Sequence, residues 1–273
     1  MSLHKNDDKL TVNTIGENTK INKKTEYYID INAERMDELN INGWKICQNS
    51  KLFRFGIDAV LLAGFASVLR TDRVIDLCSG SGIIPFLYLA RADVENITAV
   101  EYFEYFCQLM KKTAAFNGCS DNIDIVNADI KAVPDIFKRS EFDVVTVNPP
   151  YEKNGHGIDC PNPVKNAARR ETLCDIDDVA RAAAYLLKPG GRLYMIHRPG
   201  RICDVLCALR KNSLEPRTLK FVQSRAYEAP NLVLISAVKD APPYLRVEQN
   251  LIIYNADGSY TKQSSKIYDH GEL

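Results

Sequence analysis

Between Arg73 and Val238 the chain alternates short apolar runs with longer amphipathic stretches, and this alternation limits the possible folds more than any other feature. Seven runs read as strands: Val74–Leu77, Ile97–Val100, Ile123–Val126, Val144–Val147, Arg192–Ile196, Thr218–Phe221 and Leu232–Ala237. Helical patterns over 83–89, 102–117, 130–137, 175–187 and 201–211 fill most of the gaps between them, and Lys188-Pro-Gly-Gly191 reads as a helix stop and turn. Nearly continuous apolar strands interleaved with helices bury themselves as a mostly parallel sheet with helices on both faces. The expected class is therefore α/β, and 273 residues suffice for one large core with a small appendage. In such a sheet ligands lie beyond the carboxyl ends of the strands, near the point where strand order reverses.

Polar groups recur at those ends. The first strand runs through Asp76 into Cys78-Ser79-Gly80-Ser81-Gly82 and then a helix, with Pro85 in the first helical turn. The loop lacks the third glycine of a nicotinamide fingerprint. Asp76 is placed to meet a ligand ammonium group or to orient the loop. Glu101 ends the second strand about 20 residues past the glycines, where an acid accepts hydrogen bonds from ribose hydroxyls. Asp129 follows the third strand and can receive a ligand amine, with Ala128 or Ile130 as its apolar neighbour. Each group alone is more often a helix cap or turn former than a ligand contact. Their succession is what points to one ligand.

The fourth strand closes on Asn148-Pro149-Pro150-Tyr151. A planar exocyclic amine is a poor nucleophile because its lone pair is delocalised into the ring. An Asn side-chain oxygen and the carbonyl of Pro149 can accept both amine hydrogens, draw the nitrogen toward tetrahedral geometry and support the charge that develops. The two prolines fix the direction of that carbonyl in advance, and Tyr151 offers a face to the base. The same four residues would also make a plain turn after a strand.

Outside this core, residues 1–24 lack periodicity and read as a flexible arm. Residues 25–50 read as a small β-hairpin around Asn42-Gly43. The segment from Phe53 to Phe65 has helical spacing after a glycine turn, with Asp58 as a candidate cap. The long polar run after Tyr151 carries His156, read as a solvated loop residue, and Lys165, Arg169 and Arg170. Together with Arg198 and Arg201 after the fifth strand, these cations are the candidate phosphate contacts. Such contacts must be local, because the formal net charge is zero. The eight cysteines include no Cys-x-x-Cys and read as free thiols, with Cys203 and Cys207 expected in a helix core face. No membrane-length apolar run or signal-peptide pattern is present, so a cytoplasmic protein is expected.

The glycine loop resembles the first motif of class I S-adenosylmethionine-dependent methyltransferases, except that Cys78 stands where those proteins usually carry glycine. More specifically, Gln48-x4-Phe53-x-Phe55-Gly56-x-Asp58-Ala-Val-Leu-Leu-Ala, the Asp76 loop, Val100-Glu101, Asn148-Pro-Pro-Tyr151, Ala168-Arg-Arg-Glu171 and His197-Arg-Pro-x-Arg201 resemble the bacterial tRNA(Val) adenine-N6-methyltransferases. The likeness spans about residues 27–240, and the tail from Leu251 is similar to Gram-positive members. It implies a seven-stranded Rossmann-like sheet with an antiparallel last strand, a methyltransferase domain over 51–240 and a C-terminal tail over 241–273. It implies S-adenosylmethionine as cofactor, held by Phe55, Asp58, Asp76, Cys78, Ser79, Gly80, Gly82, Glu101, Tyr102, Asp129, Ile130 and Asn148. It further implies N6-methylation of an adenine beside the anticodon of a tRNA, with Asn148 to Tyr151 catalytic and no metal required. Asn-Pro-Pro-Tyr also occurs in enzymes acting on ribosomal RNA, on DNA and on protein glutamine, and a non-catalytic Rossmann-type binding module is the reading from another class. The motif alone specifies a planar amine.

Overall fold

The computed structural model describes residues 31–52, 55–151 and 174–270. Its first two strands form the expected hairpin, β1 (Glu34–Glu38) paired antiparallel with β2 (Lys45–Asn49). Asn42 and Gly43 both take positive φ, 48° and 76°. The Trp44 amide donates to the Ile41 carbonyl across them at 2.8 Å, which makes the mirror-image turn that matches strand twist. Helix α1 (Ile57–Phe65) follows.

The larger sheet is built from β3 (Val74–Leu77), β4 (Ile97–Glu101), β5 (Ile123–Asn127), β6 (Phe142–Val147), β7 (Leu187–His197), β8 (Leu214–Gln223), β9 (Leu232–Lys239) and the short β10 (Arg246–Val247) and β11 (Leu251–Ile252). The order is β10-β8-β9-β7-β6-β3-β4-β5, with β11 also on β8. All pairings are parallel except those of β9 with β7 and β8. The seven expected strands are thus β3 to β9 with an antiparallel last strand, and residues after 240 add two short strands at the β8 edge. Strand order reverses between β3 and β6, whose carboxyl ends carry the Cys78 loop and Asn148.

Period-two alternation sorts the core into two layers. Val74, Ala99, Val144, Tyr194 and Ile196 face α1, α2 (Ile83–Arg91) and α3 (Glu104–Asn117). Ile75, Leu77, Val100, Val145, Val147, Leu193 and Met195 face α4 (Val133–Ile136), α5 (Ile176–Leu186) and α6 (Ile202–Lys211). Helix α5 begins in a capping box in which Asp175 and Asp178 each accept the other's backbone N–H. The last helix, α7 (Lys262–His270), packs against α1.

Three local expectations change. Lys188–Gly191 does not turn out of the sheet. Phe142 pairs with Leu187 and Val144 with Arg192, so this segment bulges within β7 opposite Asp143, and Lys188 Nζ is held by Asp143 at 2.6 Å. Cys203 and Cys207 are exposed rather than in the core, because the buried face of α6 is Val205, Ala208 and Leu209. Asp58 does not cap α1. Gly56 is the N-cap, and the Asp58 side chain lies in the first turn. The arm over 1–24, Phe53, His156, Cys160, Lys165, Arg169 and Arg170 lie outside the described residues.

Candidate active site

The loop after β3 is held from below. Ser79 N donates to Val100 O at 3.1 Å, and Ser79 Oγ donates to the Asp76 carbonyl at 2.9 Å. Glu101 at the end of β4 accepts Gly80 N on Oε2 at 2.8 Å and Phe103 N on Oε1 at 2.9 Å, so one carboxylate joins the loop to the start of the α3 segment. Burial raises the Glu101 pKa, and the backbone N–H donors oppose that rise. The two glycines do different work. A Cβ on Gly80 would meet nothing within 4 Å, whereas one on Gly82 would lie 2.7 Å from Met110 and 2.8 Å from Phe86. Gly80 opens toward a ligand, and Gly82 serves the packing of α2 against α3. Cys78, at φ 56°, adopts the left-handed conformation that glycine ordinarily supplies. Its thiol is pushed well above the usual range, first by its hydrogen bond with Cys174 and then by burial.

Asp76 lies beneath the loop. It is wholly buried, Thr146 Oγ1 donates to its Oδ1 at 2.5 Å, and its Oδ2 has no partner. Burial pushes its carboxyl up to about 7, against the opposing effect of the Thr146 and Ser79 hydroxyls.

At the end of β6 the Tyr151 hydroxyl meets both Asn148 Oδ1 and Asp58 Oδ2, the latter at 3.0 Å. The His197 ring stands edge-on to Tyr151, with centroids 5.3 Å apart, and the Arg198 guanidinium lies 5.2 Å from the Tyr151 centroid. Arg198 also donates to the Asn231 carbonyl at 3.1 Å. Burial, with Asp58 nearby, carries the Tyr151 phenol well above its ordinary range, so it stays protonated. Burial pushes His197 down to about 4, so its ring is neutral near pH 7.

These elements enclose a cavity of about 460 Å³. Its wall contains Phe55, Asp58, Cys78, Ser79, Gly80, Glu101, Tyr102, Asp129, Ile130, Asn148, Pro149, Pro150, Tyr151 and Arg198. Of the residues expected to hold cofactor, Asp76 and Gly82 do not reach the wall, since one lies below the loop and the other faces α3. Ala128 is likewise absent from the wall, which leaves Ile130 as the apolar neighbour of Asp129. Asp129 accepts Lys131 N at 2.9 Å, so it caps a short helical turn and faces the cavity at once. Arg201 lies outside the wall and pairs with Asp204 at 2.6 Å. Sequence reasoning missed Phe103, Phe106 and Cys174, which complete the apolar side. Phe103 and Phe106 belong to the α3 apolar pattern and look like ordinary core, and Cys174 stands alone before α5 with no local signal.

The cavity suits the implied cofactor. Three carboxylates, Asp58, Glu101 and Asp129, share the wall with one cation, Arg198, and the Gly80 backbone leaves open space above it. That balance favours a ligand with a sulfonium, an ammonium group and hydroxyl donors, and the volume lies within the roughly 300–1,000 Å³ of small-molecule sites.

The sheet order, with the glycine loop, Glu101 and the Asn-Pro-Pro-Tyr tip at its strand ends, is that of the class I methyltransferase fold. Among solved structures, a predicted O-methyltransferase from Agrobacterium tumefaciens shares this fold, with a TM-score of 0.65 at 21% identity over 79% of this chain and 97% of that one. The cyclase SpnF shares it too, with a TM-score of 0.51 at 16% identity over 68% of this chain and 80% of that one, so the fold alone does not decide the chemistry. The family described as "Conserved hypothetical protein 95" matches residues 47–166. The chain is similar to the tRNA1(Val) (adenine(37)-N6)-methyltransferase of Aeromonas hydrophila, 26% identical over 76% of this chain and 85% of that protein. The Histophilus somni enzyme of the same name is 27% identical over 84% and 94%. The resemblance read from the sequence therefore extends over most of both chains.

Proposed function

We propose that this methyltransferase moves the methyl group of S-adenosylmethionine to N6 of an adenine in RNA, and that the RNA is a tRNA. The observation that carries the reading is the sharing of one cavity by the Asn148–Tyr151 tip, the open Gly80 loop and the carboxylates Glu101 and Asp129. The tRNA substrate is supported by the names of the relatives. In this reading Glu101 receives ribose hydroxyls on the lone pairs its backbone donors leave free, and Asp129 receives the adenine amine of the cofactor beside Ile130. Phe55 and Tyr102 flank it. Bound S-adenosylmethionine supplies an electrophilic methyl carbon with a neutral thioether as leaving group.

The chain's own contribution is placement and polarity. Asn148 Oδ1 and the Pro149 carbonyl accept the two hydrogens of the substrate amine and stabilise the positive charge that grows on it. Pro150 holds that carbonyl in place, and the apolar wall excludes water. No general base is needed before attack, because the nitrogen becomes acidic only as its bond to carbon forms, and the proton it then sheds passes to water at the mouth of the cavity. Neutral, buried His197 supports the Tyr151 ring. Arg198 covers part of that ring, so the substrate base packs on the part that Arg198 leaves open. Lys165, Arg169 and Arg170 are the phosphate contacts in this reading, and a tRNA substrate implies work in the cytoplasm.

Incubation of bulk tRNA with the protein and S-adenosylmethionine, followed by nucleoside mass spectrometry, tests the reading. A gain in N6-methyladenosine is expected. No gain in tRNA, with methyl appearing instead on rRNA, DNA or protein glutamine, would move the substrate while keeping the tip. No gain on any of these would overturn the proposal.

A further inference from the structure

The Tyr151 hydroxyl carries one proton and faces two acceptors, Asp58 Oδ2 at 3.0 Å and Asn148 Oδ1. One proton cannot serve both in full. Asn148 Oδ1 is also the atom that receives the substrate amine in the proposed function, and the role of Asp58 rests on that reading. While the phenol donates to Asn148, one of the two lone pairs on Oδ1 is occupied. The hydroxyl has little freedom to leave, because the ring packs against both His197 and Arg198.

The other acceptor is held in a shaped position. Asp58 stands in the first turn of α1, where the helix dipole favours a carboxylate, and its Oδ1 accepts Ala59 N at 3.0 Å. Two residues earlier is Gly56, where a Cβ would come within 2.7 Å of that same Oδ1. The backbone therefore leaves room for this carboxylate to fold back toward the cavity. A carboxylate is also a stronger acceptor than a carboxamide. We propose that Asp58 is a positioning residue that draws the Tyr151 proton off Asn148, leaving Asn148 Oδ1 open when the substrate amine arrives. Tyr151 is then a two-position switch, and the amine resolves the competition by taking the oxygen that the phenol gives up.

The competition predicts an interaction that a scaffold role would not produce. Wild type, Asp58→Asn, Tyr151→Phe and the double variant are compared on tRNA at saturating S-adenosylmethionine. Asp58→Asn, which leaves the phenol competing for Asn148 Oδ1, should lower kcat about tenfold. Tyr151→Phe, which removes the competing proton, closes the cycle, and the double variant should recover at least about threefold over Asp58→Asn. A double variant no faster than Asp58→Asn overturns the proposal. If Asp58→Asn does not fold, Asp58→Ala takes its place. A second readout needs no substrate: the ¹³Cγ resonance of Asn148 in asparagine-labelled protein reports hydrogen bonding to Oδ1. It should move one way in Asp58→Asn and the other way in Tyr151→Phe. A resonance unmoved by both also overturns the proposal. Wild type silent on tRNA would count against the substrate reading alone, and the resonance would still decide the role of Asp58.

Discussion

Replacing Asp76 by Asn should remove a loss of stability that the wild type suffers as pH rises, because Asp76 is the most deeply buried acid at the site. The carboxyl is wholly buried, has one hydroxyl donor and one oxygen without a partner, and its pKa is raised from 3.8 to about 7. A group whose folded pKa lies above its unfolded value contributes its full stability below the unfolded pKa and loses it as pH rises through the folded one. The window is therefore pH 3.8 to about 7, at about 1.4 kcal/mol per pH unit. Between about pH 5.5 and 8 the wild type should lose about 2 kcal/mol through this group alone. Asn keeps the acceptor for Thr146 Oγ1 and the side-chain volume but has no proton to release. Urea unfolding of both proteins across that range gives the comparison, and the other titrating groups cancel in the difference. Curves that run parallel would show that Asp76 titrates normally and that burial does not govern it.

Asn148→Ala should lower kcat by about 2.7–4 kcal/mol in transition-state terms while leaving cofactor affinity near wild type, checked by single-turnover kinetics beside calorimetry. Glu101→Gln should weaken cofactor binding by about 1.5–3 kcal/mol, because Glu101 both faces the cavity and holds Gly80 N; unchanged affinity by calorimetry would remove it from the site. Gly82→Ala should destabilise the fold by about 2–3 kcal/mol in denaturant unfolding, since its Cβ would collide with Met110 and Phe86. Gly80→Ala, opening on empty space at φ 55°, should cost only about 1 kcal/mol of stability and appear mainly in cofactor affinity.

The sheet was legible because its central strands β3, β4 and β6 are buried almost throughout, so each reads as a short, mostly apolar run, and Asn42-Gly43 demands positive φ twice in succession. Glu101, Asp129 and Asn148 were legible for a related reason, since topology alone puts successive strand ends on one rim. Direction of burial was harder to read. Asp76 and Gly82 sit in the same loop motif as Gly80, but period-two alternation turns the Asp76 side chain under the sheet end, and the packing of α3 claims Gly82. Cys203 and Cys207 share a helix face, as their spacing requires, but only the position of α6 on the sheet decides that Val205, Ala208 and Leu209 form the buried one. Arg198 reads as a phosphate ligand in sequence. Its contacts with Tyr151 and the Asn231 carbonyl join residues 47 and 33 positions away, which no local pattern encodes.

The hairpin is a further case of long-range contact, because a sequence reading separates it from the site while the hydrogen bonds join the two. Asn117 on α3 clasps Lys45, accepting from its N–H at 3.0 Å and donating to its carbonyl at 2.7 Å, and Thr113 Oγ1 accepts Cys47 N at 2.9 Å. Helix α3 thus treats β2 as an edge to be satisfied. Buried Gln48 then reaches two ways, donating to Asp37 at 2.7 Å within the hairpin and accepting Phe55 N at 3.2 Å from the segment that opens α1. Phe55 lines the cavity, and three residues later Asp58 meets Tyr151. A hairpin of this size has little stability of its own. Pinned to α3 it becomes a rigid bracket, and through Gln48 it fixes where the Asp58 carboxylate stands relative to the tip at the end of β6.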